Sequence, residues 1–515
     1  MNKLQKYLPF LASASLMTIV LLIIYPHYQY YVDPDGTAYL TISKYYASGD
    51  FQKAVNAYWS PWSCWLTAIL MCKGLAAIPA SVVVNALSGV GFLFISQSFF
   101  LKFDVSRPLQ WLFSLTLGLF LCYAVFWQSF DDLWECFFLL SILRVMLADG
   151  YRNKPILWIT CGAIGALAYF AKAYSFPFFI LNTLVCTYFI SKGNKAQWVK
   201  MSLTSIGIMV FCGHFWIVAL HHKYGIWTTS TSGPLNLSWY LIGHPHWATG
   251  IKQLIPPVYS DGPYYWEDPY FANGDTPHFW NSFSLAGLQV LRLGYNIFKL
   301  IRSLSQISVA FPLAVLLALN VVRTKYRQKV FSDDIFILAL SMLLFPLGYL
   351  LVNFEPRYIW YMVTPGLILS ATYFDRIGAT NKRTMLTVVF AVSFLVMPIK
   401  DMIQMYDCGK DDYETAQKLN ALHINGSFTS VTKPGRDTQA IERLAYFAGD
   451  ALYSIPHPDI SDKDLLSEMR RYHVKYYFAY HNSAVISNPH DEKGMPFPEI
   501  TNGTISGLSV YVVNP

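Results

Sequence analysis

Four short polar motifs interrupt an otherwise apolar sequence, and they combine carboxylates with two isolated cations. Two cations among several carboxylates suit an anionic lipid head group held beside a proton-accepting base. The sequence therefore predicts one outward-facing cavity that brings the four motifs together. They are Asp33-Pro34-Asp35-Gly36, Asp131-Asp132, Lys172 and Glu355-Pro356-Arg357-Tyr358.

Each motif also has a structural interpretation. The lysine of the third motif, Lys172, can extend to lipid head groups while its stem stays in an apolar layer. Arg357 can pair with Glu355 or Asp131, and the aspartates of the second motif can keep a short turn in water. Asp33 stands before a proline, where aspartate commonly forms turns. These alternatives stay open at the level of sequence.

A later stretch, rich in Trp, Tyr, Pro and His, offers His244, His246 and Trp266 as further candidates. Its aromatic faces suit sugar or lipid packing, although an aromatic belt at a membrane surface has the same composition. A metal site built from the two histidines and nearby acids, or from Asp33, Asp35 and Asp131, is the less favoured alternative. We predict neither a metal nor a cofactor.

The elements that must position these residues are membrane helices. The chain has 515 residues, of which 54% are hydrophobic and only 13% are charged. The apolar residues form runs of about 20, the length that a helix needs to cross a bilayer. The chain has a net charge of +7, and its Lys and Arg residues lie mainly in short gaps between these runs. This distribution indicates membrane topology rather than a nucleic-acid surface.

We predict about eleven spans, which place the basic clusters between them on the cytoplasmic side, as the positive-inside rule requires. The segment Pro61–Leu75 is apolar but short, and we interpret it as an interfacial helix. The predicted spans are 8–25, 77–101, 109–127, 133–148, 155–171, 175–191, 201–221, 304–322, 334–352, 358–374 and 384–400.

This threading predicts two domains. Residues 1–400 form a mostly α transmembrane bundle with outer loops at 26–76 and 222–303. Residues 401–515 form a small soluble α/β domain outside the membrane, because short strand patterns alternate there with helical ones. The eight cysteines show no metal-binding spacing and no disulfide framework.

The motifs resemble those of the GT-C glycosyltransferases, in particular the protein O-mannosyltransferases and the lipid A aminoarabinose transferases. Asp35 followed by Tyr39 and then Gly49-Asp50 is similar to their first outer loop. Asp131-Asp132-Leu133, the run Gly165–Lys172 and Arg357-Tyr358 resemble later motifs in the same order. Gly36 departs from the pattern, since close relatives often carry Glu there.

The resemblance implies an inverting transfer of a monosaccharide from a polyprenyl-phosphate donor to a lipid, glycan or protein at the outer face of a bacterial inner membrane. It makes Asp35 the base that activates the acceptor and places the donor phosphate on Lys172, Arg357 and Tyr358. Asp33, Asp131 and Asp132 become auxiliary acids, and Tyr39, His244, His246 and Trp266 become possible substrate contacts. A flippase for lipid-linked sugars and a non-catalytic scaffold are the alternatives.

Overall fold

The computed structural model describes most of the chain in full atomic detail. The described residues are 3–126, 131–243, 253–272, 276–331, 333–377, 380–432, 436–454, 460–481, 484, 486, 489–490 and 494–513. His244 and His246 lie outside them. The described chain is mostly helical and carries one small four-stranded sheet near its C-terminal end.

The first half of the described chain contains ten helices of ten residues or more. The helix Trp62–Met71 is too short to cross a bilayer, as predicted for Pro61–Leu75. The ten helices are α1 (Leu8–Tyr28), α2 (Pro34–Ser48), α3 (Trp62–Met71), α4 (Ala77–Lys102), α5 (Arg107–Phe126), α6 (Asp132–Met146), α7 (Pro155–Ala171), α8 (Ser175–Ile190), α9 (Lys195–Tyr224) and α10 (Ser232–Ile242).

Six helices follow in the described residues before the sheet region, and a 3₁₀ helix (Pro356–Met362) lies between the fourth and fifth of them. The six are α11 (Phe283–Ile307), α12 (Phe311–Arg327), α13 (Asp334–Leu344), α14 (Leu347–Leu351), α15 (Val363–Arg376) and α16 (Asn381–Met405).

Among the described residues, six helical segments are long and apolar enough to cross a membrane, or seven if the bent pair α11 and α12 counts as one span. The protein is therefore an integral membrane protein. Several other predicted spans coincide with helices of 14 to 17 residues, such as α7 and α15. The number of about eleven stays a prediction.

The largest difference from the sequence expectation concerns the predicted loop 222–303 and the predicted span 304–322. Residues 283–307 form a helix of 25 residues, which meets α12 at an angle of 117°. Its polar inner face bonds to backbone carbonyls: Gln289 Nε2 donates to Leu351 O at 2.8 Å, and Asn296 Nδ2 donates to Leu350 O at 2.8 Å. Because of these polar residues, the helix contains no continuous apolar run, and the sequence did not predict it as a span.

The C-terminal region agrees closely with the alternating pattern in the sequence. The parallel strands β2 (Ala451–Leu452), β1 (Ser427–Thr429) and β3 (Tyr476–Tyr480) lie side by side in that order, and β4 (Leu508–Val512) is antiparallel to β3. The elements are α17 (Lys410–Ala421), β1 (Ser427–Thr429), α18 (Arg436–Ala448), β2 (Ala451–Leu452), α19 (Asp462–Arg471), β3 (Tyr476–Tyr480) and β4 (Leu508–Val512).

The sheet region rests directly on the segment that carries Asp35. Tyr446 of α18 packs with Val32 and with Leu40 of α2. A side chain at Gly409 would bring its Cβ to 2.2 Å from the carbonyl oxygen of Tyr30, so only glycine fits this approach. The position of α2 therefore depends on the C-terminal region as well as on the membrane helices.

Candidate active site

Asp35 is positioned by the start of α2. The side chain of Asp33 caps this helix by accepting a hydrogen bond from Gly36 N at 2.6 Å, and Pro34 stands at the first helical position. Asp35 falls in the first turn. Its Oδ2 accepts a hydrogen bond from Arg357 Nη2 at 2.8 Å, and its Oδ1 accepts one from Trp266 Nε1 at 3.1 Å. The carboxyl group is thus held at both oxygens.

The two predicted cations lie on opposite sides of one carboxylate. Lys172, immediately after α7, forms an ion pair with Asp132 Oδ1 and lies 3.9 Å from Glu135 Oε2. Arg357 Nη1 lies 3.9 Å from Asp132 Oδ2, and its Nε pairs with Glu355 at 2.9 Å. Asp132 therefore links both cations, and the alternative pairing of Arg357 with Glu355 is also present.

A cavity of about 620 Å³ contains this cluster. The predicted residues that line it are Asp35, Tyr39, Asp131, Asp132, Lys172, Trp266, Arg357 and Tyr358. Aromatic residues complete the wall, including Tyr58, Trp59 and Trp239. Asp33 does not line this cavity, because its side chain is buried beneath the start of α2. The structure thus brings together eight of the eleven sequence candidates.

Trp266 reaches Asp35 because buried polar contacts fix its loop. The following residue, Glu267, accepts hydrogen bonds from Tyr259 N at 3.1 Å and from Tyr45 Oη at 3.2 Å. Asp268 pairs with Lys223 at 3.2 Å. Burial raises the pKa of Glu267 to about 8, so this acid holds a proton near neutral pH.

Asp131 differs from Asp35 in its electrostatics. It is buried at the start of α6, where it accepts hydrogen bonds from the hydroxyl and from the backbone N–H of Ser63. Burial raises the pKa of Asp131 to about 8, although hydrogen bonds from Ser63 and Tyr39 oppose the shift. Burial and the nearby Asp35 carboxylate raise the pKa of Asp33 to about 7. Both acids therefore hold a proton over part of the neutral range.

Asp131→Asn should weaken the dependence of stability on pH. A folded-state pKa above the unfolded value means that the folded protein binds more protons, so stability falls as the pH rises from about 4 to about 8. The neutral Asn removes this loss. We expect the Tm of the variant, relative to wild type, to rise by about 1–3 °C between pH 5 and pH 8 in detergent. A difference in Tm that is independent of pH would contradict the assignment.

Glu135 was missed at the level of sequence. It is buried on α6, accepts a hydrogen bond from Ser175 at 3.0 Å and faces Lys172. Its spacing of three from Asp132 places both acids on one face of the helix, which is the signal that was available. In the described part of the chain, no group of three or more His, Cys, Asp or Glu side chains is arranged to hold a metal ion.

Comparison with known proteins shows which solved structures share this fold. No protein-family model matches the chain, and no curated protein matches its sequence. The crystal structure of ArnT from Cupriavidus metallidurans bound to undecaprenyl phosphate matches with a TM-score of 0.53 and 13% identity over 97% of both chains. Its apo state matches equally well in fold, with 12% identity.

The chain therefore shares its fold with the two ArnT structures. The fold that the resemblance of the motifs implied is thereby confirmed. The apo oligosaccharyltransferase of Archaeoglobus fulgidus is a more distant match, with a TM-score of 0.48 and 12% identity over 93% of this chain and 70% of that one.

Proposed function

We propose that this GT-C-fold protein transfers a monosaccharide from a polyprenyl-phosphate donor to an acceptor hydroxyl at the outer membrane face. The observation that carries the proposal is the cavity in which Asp35 faces two cations, Lys172 and Arg357. The fold supports the same donor class, because the matching ArnT structure holds undecaprenyl phosphate. The acceptor is a lipid, a glycan or a protein.

In this proposal Lys172 and Arg357 bind the donor phosphate. Both already contact Asp132, so a phosphate group entering between them exchanges carboxylate contacts for phosphate contacts. Charge-assisted hydrogen bonds to phosphate are stronger than neutral ones. As the glycosidic bond breaks, negative charge grows on the departing phosphate, and cations that are already in place stabilise it.

Asp35 acts as the general base. Its oxygen takes the proton of the acceptor hydroxyl, the acceptor oxygen bonds to the anomeric carbon, and the bond to the phosphate oxygen breaks with its electrons. Direct displacement on the face opposite the phosphate inverts the anomeric centre. The donor phosphate also draws Arg357 away from Asp35 Oδ2, which leaves this oxygen free to accept the proton of the acceptor hydroxyl.

The neighbouring side chains have supporting roles in the proposal. Trp266 holds the second oxygen of Asp35, and Tyr358 lies below the Lys172 ammonium, 4.4 Å from Nζ to the ring centroid. Asp131, whose raised pKa keeps it protonated, suits a hydrogen-bond donor to the sugar or acceptor and not a second base. Tyr39 and the aromatic wall offer faces for a sugar ring.

The proposed location is a bacterial inner membrane, with the cavity and residues 401–515 outside the cytoplasm. Single cysteines in a cysteine-free variant test this orientation. Positions 280 and 495, whose native side chains are 64% and 63% exposed, should react with an impermeant maleimide on intact cells. Position 326, 63% exposed, should react only after permeabilisation. The reverse pattern would place the cavity on the cytoplasmic side.

The experiment that tests the function uses purified protein in detergent with radiolabelled polyprenyl-phosphate sugars and membrane extract. We expect the label to move from the donor to an acceptor that is absent from reactions without protein. Donor that is bound but never consumed, with any sugar supplied, would contradict transfer.

A further inference from the structure

Helix α11 carries a second group of cations, outside the cavity. It consists of Arg292, Lys299 and Arg302, and Lys299 lies within electrostatic range of the other two. In the described parts of the chain, no carboxylate oxygen lies within 4.0 Å of these side-chain nitrogens. Lys299 donates a hydrogen bond to Asn353 Oδ1 at 2.6 Å, and the nearby Glu355 is already paired with Arg357. Among the described residues, these three cations form no ion pair, and Glu355 is the acid whose charge acts on Lys299.

The same helix exposes a broad apolar surface. Leu291 and Phe298 are 71% and 62% exposed, whereas the polar Gln289 and Asn296 are buried against the backbone at residues 350–352. A helix with its apolar face outward and its polar face inward is in contact with lipid chains. Its 117° bend relative to α12 prevents the two helices from forming one straight span.

Arg292 connects the cation group to the edge of the cavity. Its guanidinium lies over the rings of Tyr240 and Tyr295, at 5.2 and 5.6 Å from their centroids. Its Nε is buried and has no hydrogen-bond partner among the described residues. Because Tyr240 lines the cavity, Arg292 lies directly behind the cavity wall.

We infer that Arg292, Lys299 and Arg302 bind the phosphate of an anionic phospholipid in the outer leaflet. The apolar face of α11 places acyl chains beside these cations, and a charge at the hydrocarbon boundary requires a partner. A lipid phosphate supplies both the chains and the charge, whereas a soluble anion supplies only the charge. This site is separate from Lys172 and Arg357, and it requires no glycosyl transfer.

Spin-labelled lipids test the site directly on the full-length protein in phosphatidylcholine vesicles. Electron paramagnetic resonance measures the fraction of labelled phosphatidylglycerol or phosphatidylcholine that the protein immobilises. We expect wild type to prefer phosphatidylglycerol. Replacing the three cations by Gln should reduce this preference at least about five-fold, since each cation near an anionic lipid contributes about 1 kcal/mol.

The matched control replaces Arg323, Arg327 and Lys329 by Gln, which removes the same charge at the other end of the following helix. It should keep most of the preference. Equal losses in both triple variants, or none in the α11 variant, would overturn the inference. Added inorganic phosphate should leave the immobilised fraction unchanged, and displacement of the lipid by phosphate would show a site for free anions instead. None of these readouts depends on turnover, so their failure leaves the proposed transferase untouched.

Discussion

Asp35→Asn is expected to reduce glycosyl transfer by about 10²–10⁴-fold, the usual cost of removing a general base. The amide keeps the shape of the carboxyl group and can still accept the hydrogen bond from Trp266. It removes the negative charge that competes with the donor phosphate for Arg357, so donor affinity should be unchanged or higher. Transfer rates at saturating donor and donor binding by equilibrium titration measure the two effects separately.

Asp33→Asn is the matched control. Its Oδ1 would still cap α2 by accepting from Gly36 N, and the residue lies outside the cavity. We expect turnover within a few-fold of wild type and a small change in Tm. If Asp33→Asn abolished transfer and Asp35→Asn did not, the base would be Asp33.

Lys172→Gln should weaken donor binding by about ten- to a hundred-fold, because one charge-assisted contact contributes about 1.5–3 kcal/mol. It should also lower the Tm, since Glu135 then remains buried without its cation and Asp132 keeps only the longer contact to Arg357 at 3.9 Å. A loss of donor binding in this variant alone has two explanations, a lost contact or a disturbed fold.

The double variant Lys172→Gln/Asp132→Asn separates these explanations. Neutralising both partners removes the poorly compensated charge at Asp132, which retains only Arg357 at 3.9 Å, so much of the stability should return. Donor affinity should stay low, because the phosphate contact is still missing. Full recovery of donor affinity in the double variant would make Lys172 a structural ion-pair partner only.

Much of the architecture was predictable from local sequence patterns. The four strands and three helices that the structure describes after residue 409 follow from alternation and helical periodicity, because each is a short element with its own local signal. The cavity was predictable for a different reason. The ends of apolar runs on the predicted outer side of the membrane carry all four of its main residues: Asp35, Asp131, Lys172 and Arg357. This restricts them to the same membrane surface.

The features that sequence reasoning missed depend on contacts between distant segments. Arg357 and Asp35 are separated by 322 positions, and nothing local indicates that they form an ion pair. Helix α11 mixes polar and apolar residues because its polar side bonds to another helix end and its apolar side is exposed. Glu135 is a single acid within a predicted membrane span, and its neighbour Lys172 comes from a different helix end, so the sequence alone does not show that the two are close.

The central claim is that Asp35 and the two cations form one site for transfer from a polyprenyl-phosphate sugar. It is tested most directly by single-turnover transfer from a radiolabelled donor, compared between wild type and Asp35→Asn at equal donor occupancy. The account predicts transfer by wild type with inversion at the anomeric carbon, and a rate about 10²–10⁴-fold lower in the variant. Equal rates in the two proteins, or a retained anomeric configuration, would contradict it.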